Sequence, residues 1–337
     1  MFQPGYIELY RSGELERRAC ALDERLDCCD LCPRECRVDR AGPVTGFCRS
    51  GRLAQVASVC DHHGEEPAIS GVRGSGTIFF ANCALRCVYC QNHQISQPTG
   101  DASGNRLDCR ELAERMMYLQ NAKGCHNINL VSPTHFVPQI VRAITYAVPM
   151  GLNVPLVYNT NAYDSVDMLQ QLEGIVDVYL PDLKYASDLW AMKFSQGAGY
   201  VEHARKAVKE MYRQVGDLVA GDDGLAQKGL IVRHLVLPNG VAGSGETLAW
   251  MAKELSPEVT VSIMSQYFPC HRASRVPMLS HRITEPEYAE VLGVMEDLGM
   301  ENGWVQELDA PDSYVPDFDR RDHPFELDRA ILGNGVA

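Results

Sequence analysis

The chain has 337 residues, 45% apolar and 22% charged, enough to bury a large core in one α/β barrel with an appended piece. Its net charge of −13 argues against non-specific binding to nucleic acid or anionic membrane, since both attract basic surfaces. The charged start MFQPGYIELYRSGELERRA lacks a signal-peptide core, and no apolar stretch approaches the ~18 residues of a spanning helix, so a cytoplasmic protein is expected.

Thirteen cysteines are unevenly spread, ten of them within the first 90 residues. A reducing compartment disfavours a disulfide framework, so clustered thiols point to metal. Residues 1–70, cysteine-rich and poor in regular period, are expected to form a separate N-terminal module. Within it, DCCDLCPRECRVDRAGPVTGFC spaces Cys29, Cys32, Cys36 and Cys48 as a metal knuckle, with Pro33, Gly42 and Gly46 supplying turns. Cys28, Cys32 and Cys36 also share one helical face, which leaves the choice between Cys28 and Cys29 open. Zinc, a second iron–sulfur cluster and a metal-free module are the three readings. CDHHGEEPAISG (60–71) adds His62 and His63, which can complete a metal site or be functionless loop histidines.

From residue 77 short β-rich runs alternate with amphipathic helical stretches. Strands are expected at 77–82, 126–132, 155–160, 177–183, 230–238 and 259–267. Helices are expected at 109–123, 136–148, 166–173, 199–215, 245–255 and 285–299, with capping boxes at Asp108/Glu111 and Thr284/Glu287. Six β–α units imply parallel strands with helical crossovers, fewer than the eight of a closed barrel. The expected class is therefore α/β, a partial (β/α)6 TIM-like barrel over residues 71–308. AGDDGLAQKG (220–229) reads as a loop, and residues 309–337, rich in Pro and Asp, as an irregular tail.

NCALRCVYCQN (82–92) places Cys83, Cys87 and Cys90 directly after the first barrel strand. Three thiolates are one short of a closed zinc or iron–sulfur site, whereas a cubane held by three cysteines leaves one iron open. The alternatives are three buried thiols, or a zinc hook with a distant fourth ligand. The spacing, with an aromatic just before the last cysteine, resembles the radical S-adenosylmethionine (SAM) enzymes.

Later strand ends are polar where a plain core needs no polarity. In SPTH (132–135), Ser132 and Thr134 can offer hydroxyls and backbone groups to the amino acid end of a ligand; His135 can face a ligand or cap a helix. In YNTNAYD (158–164), Asn159, Thr160 and Asn161 end a strand, as ligand contacts or helix caps. In YLPDLKY (179–185), Asp182 and Lys184 share a strand face, where opposite charges need each other or a ligand. Arg233, in LIVRHLVLPNG, requires an anionic partner inside the barrel or exposure on an edge strand.

Residues 75 to about 308 resemble the activating enzymes of pyruvate formate-lyase and related glycyl radical enzymes. The likeness rests on GSGTIFFANCALRCVYCQN, LVSPTHFVPQI, LPDLKY, RHLVLPN and SQYFP, in the family's order and spacing. It implies that Cys83, Cys87 and Cys90 hold a [4Fe–4S] cluster and that Asp182, Lys184 and Arg233 contact SAM. Asn159 and Thr160 match a site that holds a monovalent cation in better-known members, which have Asp-Thr there. Ser132 and Thr134 stand where the family usually carries a glycine-glycine-glutamate turn, and Tyr267 where it carries a histidine. The likeness also implies reductive cleavage of SAM to a 5′-deoxyadenosyl radical that abstracts hydrogen from a substrate. A low-potential donor of flavodoxin or ferredoxin type would supply the electron. A protein substrate, as for a glycyl radical activase, is the leading expectation; a small-molecule substrate and a non-catalytic zinc-binding interaction protein are the alternatives.

Overall fold

The computed structural model describes residues 2–98, 104–308, 316–320 and 323–325. Its strands, in chain order, are β1 (Ala54–His62), β2 (Ser75–Phe80), β3 (Asn105–Leu107), β4 (Ile128–Val131), β5 (Leu156–Thr160) and β6 (Val178–Pro181), followed by β7 (Val219–Ala220), β8 (Ala226–Leu235), β9 (Thr260–Met264) and β10 (Gly303–Val305). They form one sheet in the order β10-β9-β8-β6-β5-β4-β2-β1-β3, with β7 paired to β8. The seven strands from β2 to β10 along that path pair in parallel. The path has two free ends, so the barrel is partial and open, and helices supply the crossovers.

All six expected strands are present, because each is a short apolar run that the parallel sheet buries on both faces. Both capping boxes form, at the starts of helices Cys109–Asn121 and Glu285–Asp297. The stretch 220–229 is a β-hairpin and not a plain loop. Gly221 N–H bonds Leu225 O at 2.9 Å, and the turn between them lets β8 begin at Ala226.

Residues 54–62, expected within the N-terminal module, form a strand of this same sheet. β1 runs antiparallel along β2, and β3 pairs with β1 beyond it. Ahead of β1, helices Gly5–Arg11 and Glu14–Glu24 lie against the barrel. Helix Glu14–Glu24 covers the outer face of helix Val137–Ala147, which explains why that second helix is buried on nearly every side. Leu15 and Leu22 of helix Glu14–Glu24 are fully buried and contribute roughly 2 kcal/mol each. Arg142 spans the contact to Asp23 at 2.8 Å. Of the tail, the described pieces pack on β1 and β2: Phe325 stacks on His62 at 4.0 Å, and Phe318 meets Phe79 edge-on.

Two buried histidines tie barrel strands to their surroundings. His135 shares a hydrogen bond between Nε2 and Ala81 O, and His234 bridges Leu183 O and the Ser244 hydroxyl. Burial pushes both below the ordinary value of 6.5, to about 3 for His135 and about 4 for His234. A depressed folded-state value means that the unfolded chain binds protons that the folded chain refuses. Stability present above pH 6.5 is therefore lost as pH falls from 6.5 toward 4. Urea unfolding between pH 4.5 and 7.5 should show this loss, and His234→Gln should reduce its slope.

Candidate metal and cofactor site

The cysteine loop begins with a forced turn. Asn82 follows β2 at φ +70°, a left-handed conformation that asparagine tolerates better than most residues. Its side-chain amide donates to Gln55 Oε1 of β1 at 2.6 Å, and its N–H bonds Ile95 O at 2.8 Å. The loop is then tied to helix Asp188–Ser195 through Arg86 N to Ser195 O (2.9 Å) and Val88 N to Phe194 O (2.8 Å).

Cys83, Cys87 and Cys90 line one wall of a cleft of about 530 Å³ at the C-terminal ends of the parallel strands. That position and size suit a small-molecule ligand, for which roughly 300–1,000 Å³ is usual. Each sulfur faces one side-chain donor group. Asn161 Nδ2 lies 3.3 Å from Cys83 Sγ, the Ser195 hydroxyl 3.0 Å from Cys87 Sγ, and the Ser96 hydroxyl 3.1 Å from Cys90 Sγ. Burial pushes all three thiols above their ordinary range, Cys90 to about 12, while the Lys184 ammonium pulls in the opposite direction on each. Among the described residues, no three His, Cys, Asp or Glu side chains converge as a cage for a single metal ion. Three thiols, each with its own donor and a shared nearby cation, fit a cluster whose separate irons take separate sulfurs.

The same cleft carries a set of charges. Asp182 bonds Lys184 Nζ at 2.7 Å and Arg233 Nε at 2.9 Å, and Arg233 reaches on to Glu65 at 3.0 Å. Burial alone would raise the Asp182 carboxyl, but Arg233 and Lys184 outweigh it and hold it below its ordinary value. Burial would lower Lys184, yet Asp182 and the Cys87 sulfur keep it above its own. The two expected basic residues thus meet Asp182 inside the barrel, and Arg233 does not lie on an exposed edge.

The remaining sequence candidates separate. Ser132 and Asn159 line the cleft, and Ser132 holds φ +55°, a left-handed position at which glycine would be unstrained. The Asn159 carbonyl oxygen accepts from the Arg233 guanidinium, so a protein cation already sits there. Thr160 borders the cleft, but its hydroxyl donates to Asp164 at 2.6 Å. The Thr134 hydroxyl also donates to Asp164, at 2.7 Å, and the side chain does not line the cleft. His135 likewise points away, into the contact with Ala81. Tyr267 turns its hydroxyl to Leu279 O at 2.6 Å and packs its ring against Tyr89.

Sequence reasoning missed Glu65 and Glu66. Glu65 bonds Asn129 as well as Arg233. Glu66 is buried in the cleft wall with Oε2 unpartnered, and burial raises its carboxyl despite the nearby Arg233. The available signal was the adjacent acid pair before Pro67, close behind a strand that also escaped notice.

Residues 77–220 match the Radical SAM superfamily. This segment is a radical SAM domain. The family implies a [4Fe–4S] cluster and SAM, and the match spans the three cysteines, Asn159, Asp182 and Lys184 while stopping short of Arg233. An uncharacterized protein of Methanocaldococcus jannaschii is 28% identical over 279 residues, covering 81% of this chain and 75% of its own. Among solved structures, the [FeFe]-hydrogenase maturase HydG aligns with a TM-score of 0.46 at 11% identity, over 66% of this chain; the chain spans about half of HydG's length, 49%. Methylornithine synthase (PylB) aligns with a TM-score of 0.45 at 15% identity, over 76% of this chain and 80% of its own.

The turn at Asn82 can be tested directly. Asn82→Gly keeps the left-handed backbone and should cost about 1 kcal/mol through the lost side-chain bond. Asn82→Val should cost at least about 1 kcal/mol more, because a β-branched residue resists that conformation. Chemical denaturation of both variants measures the difference.

Proposed function

We propose that this chain is a radical SAM enzyme whose substrate is a protein, in the manner of a glycyl radical activase. One observation carries the radical SAM part: three thiols with a donor apiece share a cleft with the Asp182–Lys184–Arg233 charge network. Cys83, Cys87 and Cys90 would hold the cluster, which when bound would supply one electron for reductive cleavage of SAM to methionine and a 5′-deoxyadenosyl radical able to abstract hydrogen from the substrate. A low-potential donor of flavodoxin or ferredoxin type would deliver that electron.

The chain's own residues then have distinct work. The Lys184 ammonium donates to Asp182 and retains further donors for the carboxylate of SAM. Arg233 is already engaged by Asp182, Glu65 and Asn159, so its task is to position Asp182. Asp182 keeps an ionised carboxylate able to accept from ribose hydroxyls or an ammonium group. Ser132 and Asn159 border the same space. The likeness of GSGTIFFANCALRCVYCQN and LPDLKY to glycyl radical activating enzymes supports the protein substrate. No helix among the described residues is long and apolar enough to cross a membrane.

Dithionite-reduced protein should convert SAM to 5′-deoxyadenosine, and Cys83→Ala, Cys87→Ala or Cys90→Ala should each abolish it. Product formation that survives all three substitutions overturns the assignment. Lys184→Met should raise the KM for SAM about tenfold, equivalent to about 1.4 kcal/mol, with a smaller effect on kcat. Addition of the true protein partner should increase 5′-deoxyadenosine; a small molecule that does so instead would redirect the substrate reading.

A further inference from the structure

The N-terminal thiols make a second site, built independently of the cleft. Cys29, Cys32, Cys36 and Cys48 all line one small cavity. A tight backbone fold brings them there: Cys29 N bonds Val38 O at 2.9 Å, Arg37 N bonds Cys29 O at 2.8 Å, and Glu35 N bonds Cys32 O at 3.0 Å. Glu35, Arg37 and Arg49 adopt left-handed φ values of 39°, 54° and 59°, reversing the chain beside the thiols. Cys28 is exposed and takes no part, which resolves the choice between the adjacent cysteines.

Backbone donors are aimed at these sulfurs. Phe47 N lies 3.4 Å from Cys36 Sγ, while the N–H groups of Leu31 and Arg34 favour the ionised forms of Cys29 and Cys32. Each of the latter two comes from the residue two positions after its cysteine. The same relation holds in the radical SAM loop, where Leu85 N lies 3.4 Å from Cys83 Sγ. Gly46 eases the approach, since a Cβ there would make a tight contact, 3.1 Å from Cys36 Sγ.

We propose that these four thiolates hold a second iron–sulfur cluster, of the all-cysteine [4Fe–4S] type. A tetrahedral zinc site would draw four sulfurs to about 2.3 Å from one ion. The four thiols line the cavity without forming such a single-ion cage among the described residues. The site is also joined to the radical SAM loop. Arg86 donates to Phe47 O at 2.6 Å and to Cys83 O at 2.7 Å, while Arg34 stacks on Phe47 and bonds Ala84 O at 2.8 Å. One guanidinium therefore links the frames of the two thiol groups.

The test is iron and sulfide content of the full chain after anaerobic reconstitution. Wild type should hold about eight irons and the Cys83→Ala/Cys87→Ala/Cys90→Ala variant about four, with an electron paramagnetic resonance (EPR) signal after reduction. That remaining signal should not change on adding SAM, because four thiolates close the cluster. The Cys32→Ser/Cys36→Ser variant should lose about four irons and keep a SAM-responsive signal. An iron-free triple variant, or zinc bound in place of the extra iron, overturns the proposal. The triple variant decides the question even if the Cys32/Cys36 variant is insoluble, and it does so whether or not the chain cleaves SAM.

Discussion

Burying three thiols at the mouth of a parallel sheet is the constraint that organises this molecule. A buried thiol resists ionisation, and only an ionised sulfur binds metal. The fold answers with one side-chain donor for each sulfur and one lysine ammonium near all three. These groups come from distant parts of the chain: Ser96 from the loop's own end, Asn161 from beyond β5, Ser195 from the end of helix Asp188–Ser195, and Lys184 from beyond β6. Assembling the site therefore requires β2, β5, β6 and helix Asp188–Ser195 to be packed together, and metal binding in turn stabilises that arrangement.

The charged residues of the cleft follow the same logic with opposite charges. Asp182 and Glu65 meet Lys184 and Arg233, so the charges in these ion pairs balance before any ligand arrives. Removing one partner of such a buried set leaves an uncompensated charge, a loss of about 3–5 kcal/mol. A ligand carrying both an ammonium and a carboxylate can enter without upsetting the balance. That property matches the amino acid end of SAM, and Lys184 bonds Asp182 while its charge acts on all three sulfurs.

The barrel was largely legible in the sequence because parallel strands buried on both faces read as unbroken apolar runs. Thr77–Ala81 and Leu230–Val232 are examples, and the two capping boxes announced their helices as plainly. β1 was not legible. AQVASVCDH mixes polar and apolar residues, and its pairing with β2 is a tertiary choice. Glu65 and Glu66 were missed for the same reason, since their place at the cleft depends on that strand. Thr134 was legible as a polar strand-end residue, but a 3₁₀ turn carries its hydroxyl to Asp164, away from the ligand space. Which of Cys28 and Cys29 faces inward depended on left-handed residues at Glu35 and Arg37 that no side-chain pattern announces.

The N-terminal segment is thus part of the site's architecture and more than an appendage. β1 supplies Gln55 to the Asn82 turn, the loop after β1 supplies Glu65 to Arg233, and Phe47 receives Arg86 beside Cys83. The central claim is that the iron not held by Cys83, Cys87 or Cys90 is open to SAM. Electron–nuclear double resonance of the reduced, reconstituted chain with SAM labelled with nitrogen-15 at its amino group tests this most directly. Hyperfine coupling from that nitrogen to a cluster is the predicted result; no coupling, with every iron ligated by thiolate, would contradict the account.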